Sequence, residues 1–119
     1  MAYRFFNANA VGRFSNDCTV RALSCATGKS WDEVYEKMSA LAQYQGTMMD
    51  DRDFIRGYLD LKYERVPYME ASVGKVAEEY CDYIMLITME GHITCAKYGI
   101  IYDSFDCRSR KAENAWIVK

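Results

Sequence analysis

The sequence contains one histidine, His92, and five cysteines, of which Cys18 alone directly follows two residues able to cap a helix, Asn16 and Asp17. A thiol at a helix amino terminus is a reactive one, because the helix dipole and the unpaired amides there stabilise thiolate over thiol. A thiolate that attacks a carbonyl still needs a proton carrier for the leaving group, and imidazole suits that task near neutral pH. His92 follows Gly91 at the start of a strand-like run, where a ring can project from the rim of a sheet. Asp103 ends the next strand-like run and is the candidate for fixing the imidazole tautomer and offsetting its charge. Ten residues separate His92 from Asp103, and a tight turn near Tyr98-Gly99 brings both ends alongside. Whether they share a face depends on the turn's register, which the sequence leaves open. The expected chemistry is nucleophilic: Cys18 as nucleophile, His92 as base, Asp103 as orienting acid. The Cys18 backbone amide supplies one oxyanion donor, and a side-chain amide the other, with Asn16 the first choice and Asn9 or Asn7 in reserve.

The other titratable residues read as structural. Cys25, Cys81, Cys95 and Cys107 suit buried thiols. An odd number of cysteines at irregular spacing argues against a disulfide framework and for reduced thiols. His92 and Cys95 are the nearest approach to metal-ligand spacing and have no companion pair, so neither a metal nor a cofactor is expected. Asp50, Asp51 and Asp53 lack the glycine and closing glutamate of a calcium loop and suit a helix start. Arg21 is expected to pair with Asp17 or Asp106 rather than to clamp substrate. Trp31, Trp116 and the ten tyrosines suit packing rather than base stacking.

The elements that must position these residues follow an α+β order, helices first and strands last. The first helix starts near Asn16 or Asp17 and stops at Gly28, with Val20, Leu23 and Thr27 as its inner stripe. Ser30-Trp31-Asp32-Glu33 is a capping box opening a second helix towards Ala42, with Val34, Met38 and Leu41 inward. A third helix spans about Asp51 to Leu59, and Leu61 to Val66 reads as a strand closed by Pro67. Ser72 caps a fourth helix through Tyr80, with Val73, Val76 and Ala77 on its apolar side. Tyr83 to Met89 reads as a central strand, Ile93 to Tyr98 as its neighbour and Ile100 to Tyr102 as a third, with Ala115 to Val118 as an edge strand. Tyr98-Gly99 between two apolar runs is the hairpin signal.

The stretch Asn16-Asp17-Cys18-Thr19-Val20-Arg21-Ala22-Leu23, with Ala26-Thr27-Gly28 after it, resembles the nucleophile helix of small papain-like cysteine peptidases of bacteria and their phages. Gly91-His92-Ile93-Thr94 and Ile101-Tyr102-Asp103-Ser104 resemble the matching histidine and acid strands. The resemblance covers most of the chain. It implies a papain-like fold, two layers with amino-terminal helices packed on a carboxy-terminal antiparallel sheet, and thiol-dependent cleavage of an amide or isopeptide bond. Where many such enzymes carry an oxyanion glutamine five or six residues before the cysteine, this chain has Arg13 and Gly12.

At 119 residues and 50% apolar composition, one domain spanning 1–119 is expected. Fifteen basic against 17 acidic residues, net −2, form no basic block that tracks a phosphate backbone, so nucleic acid is not an expected partner. The longest apolar run, Tyr83 to Met89, is too short to cross a bilayer, and MAYRFFNANAVGRF has no signal-peptide pattern, so a cytoplasmic protein without a membrane partner is expected. Two function classes fit: a cysteine hydrolase (peptidase, isopeptidase or amidase) acting on a protein or peptide, and an inactive scaffold of the same fold that binds a protein.

Overall fold

The computed structural model describes residues 2–7, 18–49 and 51–119. Its elements run β1 (Ala2–Phe5), α1 (Cys18–Thr27), α2 (Trp31–Gln45), α3 (Arg52–Lys62), β2 (Glu64–Arg65), α4 (Val73–Glu79), β3 (Ile84–Met89), β4 (His92–Lys97), β5 (Ile100–Asp103) and β6 (Asn114–Ile117). This is an α+β arrangement of four helices and one six-stranded sheet, in the order β1-β5-β4-β3-β6-β2. No helix among the described residues is long and apolar enough to cross a membrane.

Local sequence explains the helix starts. Ser30, Asp51 and Ser72 each sit in extended backbone and accept a hydrogen bond from the amide three residues on: Glu33 at 3.2 Å, Phe54 at 3.0 Å and Lys75 at 3.2 Å. Such caps are worth about 1 kcal/mol each. Asp51 thus serves as the helix start expected of that acidic stretch. The expected caps of α1, Asn16 and Asp17, lie outside the described residues.

Strand alternation divides the core. On β3, Leu86 faces the side where Ile93, Cys95 and Trp116 meet Val20 and Leu23 of α1, Met38 of α2 and Leu59 of α3. Met85, Ile87 and Met89 point the other way, against Val73, Val76 and Ala77 of α4 and Cys107 and Ala112 of the segment before β6. The sheet is therefore covered on both faces, whereas two layers were expected. The inner stripe of α1 is also broader than expected, running through Thr19, Ala22, Cys25 and Ala26, while Thr27 is exposed and turns its hydroxyl back to the Leu23 carbonyl.

Three sheet expectations need correction. The sheet is mixed rather than antiparallel: β1 runs parallel to β5, with Ala2 opposite Ile100 and Phe5 opposite Asp103. Parallel neighbours need a long crossover, and almost the whole chain provides it here. The short Ala2–Phe5 run carries no alternating apolar signal that would mark it as a strand. Second, β6 is not an edge; it lies between β3 and β2. Third, the expected strand at Leu61–Val66 shrinks to Glu64–Arg65 because α3 continues to Lys62. Both β2 residues are exposed, as suits a short charged edge.

The β4–β5 turn is as short as the Glu90-Gly91 turn between β3 and β4. Lys97 pairs with Ile100, so only Tyr98 and Gly99 form the loop, with φ of +53° and +84°. Two consecutive positive φ values match the hairpin twist that Asn-Gly favours. Tyr98 adopts this conformation at a steric cost, with its side chain 60% exposed. Tyr98→Asn is expected to raise stability by about 0.5–1 kcal/mol in urea denaturation. Gly99→Ala is expected to lower it, since its φ is positive and an added methyl would lie 3.3 Å from Cys81 Cβ.

Candidate functional site

The two-residue turn decides what His92 meets. With Cys95 opposite Tyr102 and Ala96 opposite Ile101, one further step sets Thr94 opposite Asp103. His92 lies two residues before Thr94 and so on the same face, which makes Asp103 its diagonal neighbour across the hairpin. A register shift of one residue would have put them on opposite faces. The result is a hydrogen bond from His92 Nε2 to Asp103 Oδ2 of 2.7 Å, with both side chains 7% exposed.

Asp103 is held on every side. Its Oδ1 accepts from the Ser104 amide at 2.7 Å, and the Cys107 thiol donates to Oδ2 at 3.7 Å. Thr94 directs its buried hydroxyl at the carboxylate without closing a hydrogen bond of ordinary length. The Asp103 carbonyl accepts from the Phe6 amide at 2.8 Å and the Tyr3 hydroxyl at 3.0 Å, so β1 anchors the acid's backbone. The Phe105 ring packs on the imidazole at 4.8 Å between centroids, inclined by 42°. Burial alone would raise the Asp103 pKa; the hydrogen bond from His92, the Thr94 dipole, the imidazole charge and the Ser104 amide outweigh it and hold it below the ordinary carboxylate value.

Cys18 is the first residue of α1, and that helix lies across the start of β4. Half-buried, Cys18 lines one cleft with Thr19, His92 and Ile93, near enough for the ring, the Ile93 amide and the Thr19 hydroxyl to act on its thiol. Since Asp103 occupies Nε2, Nδ1 is the ring nitrogen left to serve the thiol. Burial pushes the Cys18 thiol up, but the hydrogen bond and charge of His92, with the Ile93 and Thr19 donors, bring it below its ordinary value. Burial likewise lowers the imidazole, and the hydrogen bonds and charges of Asp103 and Cys18 overcome that, raising His92 to about 9. Each partner thus favours the charged form of the other, which is the electrostatics of a thiolate–imidazolium pair.

Cys18 and His92 open onto a cleft of about 300 Å³ whose walls include Ile55, Met89 and Ile93 and the two α3 arginines, Arg52 and Arg56. The sequence pattern singled out Cys18, His92 and Asp103, and the fold brings these three together. It assigned no role to Thr94, which stood in the histidine-strand pattern, and gave no sign of a role for Phe105, Cys107, Arg52 or Arg56, because these come from strand pairing and helix docking. Ser104 stood in the acid-strand pattern without an assigned role. Asn16 and Asn9, the first and one reserve choice for the oxyanion side chain, lie outside the described residues. Asn7, the other reserve, is exposed and does not line the cleft, although its neighbour Phe6 covers the inner side of Cys18.

Arg21 donates to Ser104 Oγ at 3.2 Å, and Asp106 is taken by Arg108 at 2.6 Å instead of by Arg21. Of the remaining cysteines, Cys25, Cys95 and Cys107 are buried and Cys81 is exposed. Contact with Cys25 and burial hold Cys95 well above its ordinary value. The donor atoms of His92, Asp103 and Cys107 lie within 4.8 Å of one another, the residue types of a metal site. At 2.7 Å, however, His92 and Asp103 are closer than the roughly 3.3 Å that ligands about 2 Å from a tetrahedral zinc would keep. Burial also pushes the Cys107 thiol up to about 11, in keeping with its donating to Asp103 as a thiol.

The geometry predicts unequal thiols. At about pH 7, iodoacetamide is expected to modify Cys18 well ahead of exposed Cys81, and His92→Ala is expected to bring the two rates together. Peptide mass analysis of timed samples reads both rates. Equal rates in the parent protein would mean that the His92 contact does not ionise the thiol.

Compared with known protein families, with curated protein sequences and with solved structures, the chain matches none.

Proposed function

We propose that the protein is a cysteine-nucleophile hydrolase of amide or isopeptide bonds, a peptidase, isopeptidase or amidase of papain-like type, with Cys18, His92 and Asp103 as its catalytic triad. The observation that carries this reading is that Cys18, at the start of α1, and the buried His92–Asp103 pair meet at the wall of one open cleft. A purely structural histidine would need neither a thiol at a helix start on one nitrogen nor a carboxylate braced by several further donors on the other.

The residues divide the work as follows. The Cys18 thiolate attacks the carbonyl carbon, forming a carbon–sulfur bond and moving the carbonyl electron pair onto oxygen. The Cys18 backbone amide, in the first turn of α1 where amides have no intrahelical acceptor, faces that oxyanion. The carbon–nitrogen bond then breaks, and the departing amine takes the Nδ1 proton of the His92 imidazolium, leaving a thioester. Neutral His92 next removes a proton from water as the water oxygen attacks the thioester. Collapse expels the Cys18 thiolate, releases the carboxylic acid and restores the ion pair. Asp103 stays ionised throughout and keeps Nε2–H pointing at itself. A cleft of about 300 Å³ suits a short substrate segment rather than a folded domain.

Two measurements test the reading. Comparing new peptide termini and released conjugates in cells making the parent chain and its Cys18→Ala form tests turnover; identical profiles would count against it. On a substrate so identified, His92→Ala is expected to abolish turnover, while Asp103→Asn lowers it by about a hundredfold and Asp103→Ala further. The pH profile carries a sign. His92 must be protonated to serve the leaving amine, so activity should fall as pH rises through about 9. Removing the carboxylate removes a contribution that raises the imidazole, so the falling limb should move to lower pH in both Asp103 variants.

A further inference from the structure

Arg52 and Arg56 stand one turn apart on α3, and both line the cleft into which Cys18 opens. Residues four apart on a helix share a face, so both side chains leave α3 on the cleft side. Glu113 is the one carboxylate among the residues lining this cleft, and it lies 3.9 Å from Arg56 Nη2, too far for a hydrogen bond. Arg52 has no hydrogen-bond or ion-pair partner among the described residues. Between the arginines, Ile55 offers apolar surface, continued by Met89 and Ile93 on the sheet side.

Guanidinium groups present paired donors that match planar or tetrahedral oxyanions. With Glu113 offsetting one of the two arginine charges, the described residues of α3 and Glu113 leave a surplus of one positive charge on that wall of the cleft. That suits a monoanion better than a phosphate dianion, and the apolar strip beside it suits a short aliphatic stem. We propose that the cleft selects substrates with a carboxylate on a short apolar stem next to the scissile carbonyl, bound by Arg52 and Arg56. This substrate class rests on the hydrolase reading of Cys18. The carboxylate has two possible sources, an acidic side chain or the terminal carboxylate of a peptide.

Iodoacetate and iodoacetamide provide a matched pair of probes. Both form a carbon–sulfur bond with loss of iodide, and they differ in carrying a carboxylate or a neutral amide. The 119-residue chain is alkylated with each, and the rates at Cys18 and at Cys81, an exposed thiol beside the Tyr98-Gly99 turn, are read by peptide mass. The iodoacetate-to-iodoacetamide ratio at Cys18 should exceed that at Cys81. In Arg52→Gln/Arg56→Gln it should fall about fivefold, and about 0.5 M salt should shrink the parent's preference. Glu113→Gln should raise the ratio. The His92 cation acts on parent and variant alike, so the change between them reports on the arginines.

The source is read in the same assay by competition at millimolar concentration. Protection of Cys18 by N-acetylisoglutamine, which carries a side-chain carboxylate, points to acidic side chains. Protection by N-acetylglutamine, which carries a terminal one, points to chain ends. An unchanged ratio in the double variant, or protection by neither compound, overturns the proposal. If iodoacetamide modifies Cys18 no faster than Cys81, it is the hydrolase reading that fails. The ratio is still measurable at such a slow thiol, so the two failures are distinguishable.

Discussion

The 2.7 Å hydrogen bond between His92 and Asp103 depends on a turn of two residues at the opposite end of the same hairpin. Side chains alternate across a strand, so the length of the Tyr98-Gly99 loop determines whether imidazole and carboxylate share a face. Everything around the pair follows from that parity. Thr94 and Cys107 reach the carboxylate because they border the same face, and the α1 amino terminus reaches the imidazole because it crosses the beginning of the same strand. A tyrosine held at φ +53° is the local cost of closing the hairpin so tightly.

Burying a carboxylate beside an imidazole is unfavourable unless each charge is compensated. Here the compensation is shared among groups from α1, β4 and the segment after β5. The pair also couples stability to pH. Asp103 lies below its ordinary value of 3.8, so its contribution is present above that value and disappears as acid protonates the folded carboxylate. His92 is raised from 6.5 to about 9, so its contribution is complete below 6.5 and is lost as pH rises through about 9. The window between about 4 and 6.5 is where both act in full.

Much of this was legible in the sequence, for local reasons. Ser30 and Ser72 announce their helices through hydrogen bonds to their own neighbours, and the Tyr98-Gly99 hairpin reads from two apolar runs and a glycine. Cys18, His92 and Asp103 could be picked out because nucleophile, base and acid need particular residue types at particular element ends. What stayed hidden was set by distant pairing. Ala2–Phe5 becomes a strand only because β5 is there to receive it. Trp116 and Ile117 sit in an interior strand only because two exposed residues, Glu64 and Arg65, cover their far side. Cys107 looks like any core cysteine until the fold sets it 3.7 Å from a carboxylate. Arg52 and Arg56 look like a solvated helix face until α3 docks beside Cys18.

The pairing of β1 with β5 joins residues about a hundred positions apart, and Phe6 and Tyr3 grip the Asp103 carbonyl through it. Contacts of such separation form late, because the ends must meet before any of their energy is returned. During synthesis α1 emerges with Cys18 long before the ribosome has made His92, and the strand that braces Asp103 from below waits for β5 as well. A growing chain therefore carries an ordinary thiol, without the partner that ionises it. The amino-terminal strand thus closes onto β5 only after the hairpin that carries His92 and Asp103 has been made.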